Sequence, residues 1–318
     1  MSAPRMHPDE VDIDVDLVRR LLVSQHPQWA NLVLDFVAST GTVNAIWRLG
    51  ADLYVRLPRL RSWAADLEKE LQWLPVLAPR LSVDVPEPIS AGKPQFGFPF
   101  TWAIYRWHEG EPLDRMRVAD ERRTAEVLAQ FVGELRGIDS SGAPRSRRDR
   151  PMQARDAEAR AAIVAARDLV DTQAVTEAWD AALRAPEWDG TVVWTHGDLL
   201  PPNALLVDGR IAAVIDFGNM GVGDPAVDLI AAWTILGEDG RDAFRGALDA
   251  DDATWSRARG FALHQALLVI PYYRESNPAF VAMAQRTVRE ITGTSETRNS
   301  EAADGRNPAP APPRRSVG

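Results

Sequence analysis

Between Val192 and Gly221 the chain reads VVWTHGDLLPPNALLVDGRIAAVIDFGNMG, and it crowds His196, Asp198, Asn203 and Asp216 among two apolar runs. These residue types suit one kind of chemistry. A carboxylate can orient or take the proton of a hydroxyl, and carboxylate and amide oxygens are the hard ligands that a hard divalent cation prefers. Asp198 and Asn203 fall in a loop that carries Pro201 and Pro202, and Asp216 stands where the second apolar run ends. The two runs are joined by Asp208-Gly209, a strong hairpin signal, so the hairpin folds its ends together and lets Asn203 meet Asp216. Taken singly, each fragment is explained as well by turn chemistry, because Asp, Asn and Gly abound in turns. The joint order is the specific part: His-x-Asp-x-x-x-x-Asn, an apolar hairpin, then Asp-Phe-Gly.

The elements needed to hold these groups flank the motif. Val15 to Val23 has helical spacing, and three short β-rich runs follow between Leu32 and Leu57, with Leu49 to Asp52 as a hairpin turn. In LYVRLP, alternation sends Arg56 to the face opposite Leu53, Val55 and Leu57. Leu67, Leu71 and Leu74 then mark an amphipathic helix that Ser62 is placed to cap. The Pro- and Gly-rich passage VPEPISAGKPQFGFP reads as a connector to a strand in FTWAIYRW, and HEGEP as a second connector. Beyond Val118 the pattern turns helical, with Val127, Leu128, Phe131, Val132, Leu135 and Ile138 on one side. A polar loop, DSSGAPRSRRDRP, and Ala-rich helices run to about Arg184, and further helices follow the motif to about Ile291. The tail is rich in Pro, Ser and charge, which predicts disorder.

Bulk composition bounds the function. A chain of 318 residues, 45% of them apolar, can bury a core large enough for two lobes. The absence of cysteine excludes disulfides, thiolate metal sites and cysteine nucleophiles, and fits a reducing cytoplasm. The first residues are polar and acidic, and no run is apolar for long enough to cross a bilayer, so a soluble cytoplasmic protein with no membrane partner is expected. A net charge of -9 argues against nucleic acid as a partner.

HGDLLPPNALL followed by VIDFGNMGVGDPAVDL resembles the aminoglycoside phosphotransferase family, which includes macrolide phosphotransferases and other small-molecule kinases. Protein kinases share the order of catalytic loop and metal-binding segment, but Gly197 stands where they have Arg, and no room is left for a long activation loop. Upstream, GTVNAIWRLGADLYVRLPR, EKELQWLPVLAP and WAIYRWHEGEP resemble the family's nucleotide loop, charged strand, following helix and interlobe hinge, so the likeness runs from about Thr40 to Trp233. It implies an α+β, protein-kinase-like fold: a small antiparallel-sheet lobe over 1–107, a mainly helical lobe over 108–292 and a disordered tail over 293–318. It also implies ATP or GTP as donor, Mg2+ as cofactor, and a hydroxyl-bearing small molecule as acceptor, an aminoglycoside or macrolide antibiotic or a related metabolite.

The resemblance assigns roles residue by residue. Asp198 orients the acceptor hydroxyl or accepts its proton, Asn203 and Asp216 hold Mg2+, and His196 supports the loop. Arg56 occupies the strand position of the kinase lysine; arginine keeps the charge and can grip phosphate through two donors. Glu70 is its expected partner and Glu68 the alternative, against the plainer reading of both as a solvated helix face. Thr42 lies in a turn whose backbone N–H groups can follow phosphates. The hinge near Arg106 and His108 is expected to bond the nucleobase, with Trp102, Tyr105 and Trp107 as packing residues, and Asp224 and Asp228 fasten the segment after the metal site.

Two other classes compete. A metal-dependent hydrolase could use His196, Asp198 and Asp216, but the five histidines are scattered at 7, 26, 108, 196 and 264. A non-catalytic nucleotide-binding protein would explain Arg56 in place of lysine, but has no need of Asp198.

Overall fold

The computed structural model describes residues 10–37, 43–114 and 118–293, so the expectations for Thr42 and for the tail beyond Gly293 lie outside the described residues. Helix α1 (Val15–Gln25) starts at Asp14, whose carboxylate accepts from the Leu17 N–H at 2.7 Å. Strands β1 (Leu34–Phe36), β2 (Asn44–Leu49), β3 (Leu53–Pro58), β4 (Pro88–Gly92) and β5 (Trp102–Arg106) make an antiparallel sheet in the order β1-β2-β3-β5-β4. Helix α2 (Arg61–Leu77) connects β3 to β4.

Central β3 shows the alternation read from its sequence. Val55 and Leu57 enter a core shared with α1, where Leu17, Leu21 and Leu22 are buried. Tyr54 joins the other core, and Arg56 points to α2 on that same side, paired across the sheet with Ala103. Both faces of the strand are thus covered, and Arg56 is only 5% exposed.

Two local expectations are corrected. Ser62 does not cap α2: Leu60 holds the cap position without a side-chain bond, and Ser62 lies inside the first turn. Part of the Pro- and Gly-rich passage is a strand, β4, rather than a connector. It lies at the sheet edge and begins with Pro88, where a missing N–H breaks no ladder.

The remainder is mainly helical: β6 (Glu111–Pro112), α3 (Glu121–Arg136), α4 (Asp156–Ala165), α5 (Thr172–Leu183), β7 (Val193–Thr195), β8 (Ala204–Val207), β9 (Arg210–Val214), β10 (Gly221–Gly223), α6 (Ala231–Thr234), α7 (Glu238–Ala247), α8 (Asp252–Tyr272) and α9 (Pro278–Thr292). Leu128, Phe131, Val132 and Leu135 give α3 the buried stripe read from its spacing. The β8–β9 hairpin turns through Asp208 and Gly209 at φ 50 and 72, the positive values of a type I′ turn. The architecture is the expected α+β, an antiparallel sheet followed by a helical part. Among the described residues no helix is long and apolar enough to cross a membrane.

Candidate active site

The loop after β7 is held from beneath by Asp228. Its two carboxylate oxygens accept from the N–H groups of His196 and Gly197, each at 2.8 Å. Burial pushes the Asp228 carboxyl above its ordinary pKa, against the pull of those N–H donors. The fully buried His196 ring has both nitrogens committed. Nδ1 accepts from the Asp198 N–H at 3.2 Å, which puts the proton on Nε2, 3.1 Å from the Ile215 carbonyl that receives it. No lone pair remains for base chemistry. Gly197 has φ +84, and a Cβ there would lie 2.8 Å from the Asn219 carbonyl oxygen. The position therefore takes glycine where protein kinases have Arg.

The loop delivers the Asp198 carboxylate into a ring of donors. Arg148 Nη2 lies 3.2 Å and Gln265 Nε2 2.5 Å from Oδ1. Asn203 Nδ2 donates to the Asp198 carbonyl at 2.9 Å and lies 3.4 Å from Oδ2. With its nitrogen so engaged, Asn203 has its Oδ1 left as a possible ligand atom. Across the hairpin, Ala204 pairs with Val214, and Ile215 N–H donates to the Asn203 carbonyl at 2.8 Å, which brings Asp216 beside Asn203.

Asp216 adopts the left-handed conformation, φ 64 and ψ 69. For a residue other than glycine this costs on the order of 1 kcal/mol or more, and such strain clusters at functional sites. The following Phe217 is fully buried, edge-on to His196 with centroids 4.6 Å apart and to Phe131 at 6.3 Å. The turn is thereby anchored, and the Asp216 side chain stays about one-third exposed.

From the sheet side, Arg56 Nη1 meets Glu70 Oε2 at 2.6 Å, and Nη2 reaches Asp216 Oδ1 at 3.4 Å. Glu68 instead accepts from the Thr101 hydroxyl at 3.1 Å, so Glu70 is the partner. The Asn44 amide, its oxygen turned to the guanidinium, accepts from Nη2 at 3.0 Å and Nε at 3.1 Å. Burial works to lower the Arg56 pKa, but the Glu70 and Asp216 charges outweigh it and the guanidinium stays protonated. Burial pushes the Glu70 carboxyl up to about 7, opposed by Arg56 and helped by Asp216, with which it shares that one cation. Lys69 Nζ donates to the Gly218 carbonyl at 2.8 Å and ties α2 to the Asp-Phe-Gly turn.

A sequence model of the phosphotransferase enzyme family matches residues 37–261. The chain belongs to that family. It is 27% identical to an uncharacterized Bacillus subtilis protein, YcbJ, over 204 residues, 59% of this chain and 65% of that protein. Over 62 residues it is 36% identical to an aminoglycoside 3'-phosphotransferase of Escherichia coli, 20% of this chain and 23% of that enzyme. The matches thus span less than two thirds of both relatives. Among solved structures, the GDP complex of an aminoglycoside 2'-phosphotransferase superposes with a TM-score of 0.69 at 19% identity, covering 90% of this chain and 100% of that one. Macrolide 2'-phosphotransferase type I gives 0.60 at 19% identity, over 86% and 96%. At such identity the likeness is one of fold, and the fold is the two-lobed kinase-like one that the sequence suggested.

In this member of the family the predicted residues gather unevenly. Asp198, Asn203, Asp216, Arg56 and Glu70 form one connected cluster, with His196 and Asp228 directly beneath. Asp224 lies further off, accepting from Ala226 N–H at 2.9 Å and gripped by buried Arg257 at 2.8 and 3.2 Å. At the expected hinge, Arg106 sends its side chain outward to Glu87 at 2.5 Å and gives its N–H to the Glu87 carbonyl, while Trp107 gives its N–H to Asp52. His108 Nδ1 lies 3.9 Å from Asp84, and its buried Nε2 has no protein partner among the described residues. Sequence reasoning missed Asn44, Lys69, Arg148, Gln265 and Arg257. Only Arg148 carried a signal, the run of arginines in the loop after α3.

Proposed function

We propose that the chain transfers the γ-phosphate of ATP or GTP, with Mg2+, to a hydroxyl of a small molecule, an aminoglycoside or macrolide antibiotic or a related metabolite. One observation carries the reading. Asp198, Asn203 and Asp216 converge at one mouth with a buried, preset Arg56–Glu70 pair. Two hard oxygen ligands, Asn203 Oδ1 and the Asp216 carboxylate, fit Mg2+, which characteristically takes one or two protein oxygens and fills its shell with phosphates and water. Among the described residues no three His, Cys, Asp or Glu side chains cluster as metal ligands, so the protein-only cage of a hydrolase has no counterpart here. When bound, Mg2+ would neutralise charge on the phosphates.

The chain's own residues supply the rest. Arg56, fixed by Glu70 and Asn44, would grip phosphate oxygens from the sheet side. Asp198 would orient the acceptor hydroxyl and receive its proton as the oxygen–phosphorus bond forms and the bond to the departing nucleoside diphosphate breaks. Nucleobase contacts would fall to backbone groups beyond Trp107, around His108, because the N–H groups of Arg106 and Trp107 are engaged within the fold. The lobes would divide near residue 107, and the absence of cysteine suits work in the cytoplasm.

The test is a screen of aminoglycosides, macrolides and hydroxyl-bearing metabolites with ATP and GTP, reading phosphorylated product by mass spectrometry beside thermal shift. Product should form with wild type and fall to background with Asp198→Asn. The rival, a nucleotide-binding protein without catalysis, rests on Arg56 in the lysine position. It predicts tight Mg-nucleotide binding with no product and no turnover.

A further inference from the structure

The loop between α3 and α4 is unlike the rest of this acidic chain. Between Arg145 and Arg155 it carries Arg145, Arg147, Arg148, Arg150 and Arg155 against Asp149 alone. Its position is determined from two sides. Ser146 donates to the Asn219 carbonyl at 2.9 Å, and its hydroxyl also accepts from Arg148 N–H at 3.2 Å, which ties the loop to the segment after Asp-Phe-Gly. From behind, Arg155, 4% exposed, donates to the carbonyls of Arg148 at 2.5 Å and Arg150 at 3.1 Å. Arg148 is the side chain this arrangement sends to the centre of the site. It spans Asp198 Oδ1, at 3.2 Å from Nη2, and the Gly197 carbonyl, at 3.3 Å from Nε. A planar guanidinium that bonds both a carboxylate and the backbone just before it restricts rotation of that carboxylate.

Gln265, on α8, completes the grip at 2.5 Å from the same oxygen. Among the described residues Oδ1 therefore has two donors, whereas Oδ2 faces only the weak 3.4 Å approach of Asn203. We propose that Arg148 and Gln265 are positioning residues: they hold Asp198 by Oδ1 so that Oδ2 is the oxygen that meets the acceptor hydroxyl. The inference rests on the phosphotransfer reading for its consequence in catalysis, but not for the clamp itself. Neither residue touches the nucleotide side of the site, where Arg56, Asn203 and Asp216 stand.

Two readouts separate the clamp from the reading. The first is the side-chain amide resonance of Gln265 in 15N-labelled protein, assigned by its loss in Gln265→Met. It should shift in Asp198→Asn and in Arg148→Met, and an unmoved resonance in Asp198→Asn overturns the clamp whether or not the protein turns over nucleotide. The second is steady-state hydrolysis of Mg-ATP and Mg-GTP with water as acceptor. Arg148→Met and Gln265→Met should each lower kcat by about 10- to 100-fold, the range expected when a reacting group is misplaced by about an ångström, with the nucleotide KM within about twofold. In the Asp198→Asn background the same changes should add less than about twofold, because both act through that carboxylate. Arg148→Lys, which keeps the charge and loses the fork, should recover only part of the loss. Full additivity in the Asp198→Asn background, or a kcat unchanged in both Met variants while Asp198→Asn abolishes turnover, would overturn the proposal. Equal turnover by wild type and Asp198→Asn would sink the phosphotransfer reading instead, and the resonance would then decide the clamp.

Discussion

Two guanidinium–carboxylate pairs face each other across the site, and they differ in almost every respect but chemistry. Arg56 and Glu70 meet at 2.6 Å with side chains 6% and 0% exposed. Arg148 and Asp198 meet at 3.2 Å with side chains 29% and 15% exposed. A buried pair is hard to break, since removal of one member strands the other charge out of water, so it suits a fixture present before any ligand arrives. A part-exposed pair that holds its carboxylate by one oxygen leaves the other able to find a new partner. The sheet side is thus preset, and the helical side is poised.

The largest effect should come from the poised side. Asp198→Ala should lower kcat for the acceptor by about 10² to 10⁴, the range of general-base contributions, with Mg-nucleotide affinity nearly unchanged. A folded variant with near-normal kcat would remove Asp198 from the mechanism. Asp216→Ala and Asn203→Ala should instead weaken Mg-dependent nucleotide binding, Asp216 more, because it brings formal charge to the ion. Calorimetry with and without Mg2+ separates the two behaviours, and equal losses in the two variants would contradict the ranking.

Breaking the preset side should show first in stability. Above about pH 7, where the Glu70 carboxyl is ionised, Arg56→Ala leaves it buried without its cation and should cost about 3–5 kcal/mol of unfolding free energy, measured by urea denaturation. Glu70→Ala should cost a comparable amount, and the double variant clearly less than the sum, since either change destroys the same pair. Nucleotide KM should rise with the fall in stability, and Arg56→Lys should keep part of both. Additive losses would mean that the pair is not one unit.

The same contrast explains how much the sequence could disclose. Asp198, Asn203 and Asp216 were legible because their spacing is set within one loop and one hairpin, where a local turn signal, Asp208-Gly209, fixes which ends meet. The side on which Arg56 projects was legible because strand alternation sends it away from Leu53, Val55 and Leu57, while its expected role came from the resemblance to the kinase pattern. Gln265 was not, because only the packing of α8 beside the loop gives it a role, and nothing in its neighbours announces that. Strand β4 was hidden because its Pro content speaks for a connector unless the strand is known to lie at an edge. The missing cap on α2 has a similar cause: Ser62 is a good capping residue, but the helix begins two residues too early for it.

The smallest expected effect follows from the titratable groups behind each pair, because they oppose one another. Glu70, facing Arg56, Tyr105, Tyr54, Lys69 and Asp216, has its carboxyl pushed by burial from 4.5 up to about 7. His264, facing Arg155 at 3.4 Å, Glu158 at 3.3 Å and the nearby Arg148, is pushed by burial and by Arg155 from 6.5 down to about 4. Between about pH 4.5 and 7 the folded chain holds a proton on Glu70 that the unfolded chain releases, so this group costs stability as pH rises. Between about pH 6.5 and 4 the unfolded chain takes up a proton on His264 that the folded chain refuses, so this group costs stability as pH falls. In wild type the two slopes offset, and the Tm contributed by these sites should vary little from pH 4.5 to 6.5. Glu70→Gln removes the first slope and should make Tm rise more steeply with pH across that interval, whereas His264→Gln removes the second and should make it fall. Parallel Tm–pH curves for wild type and both variants would show that neither group keeps its shifted pKa, and that the two sides of the site differ in exposure but not in the protons they hold.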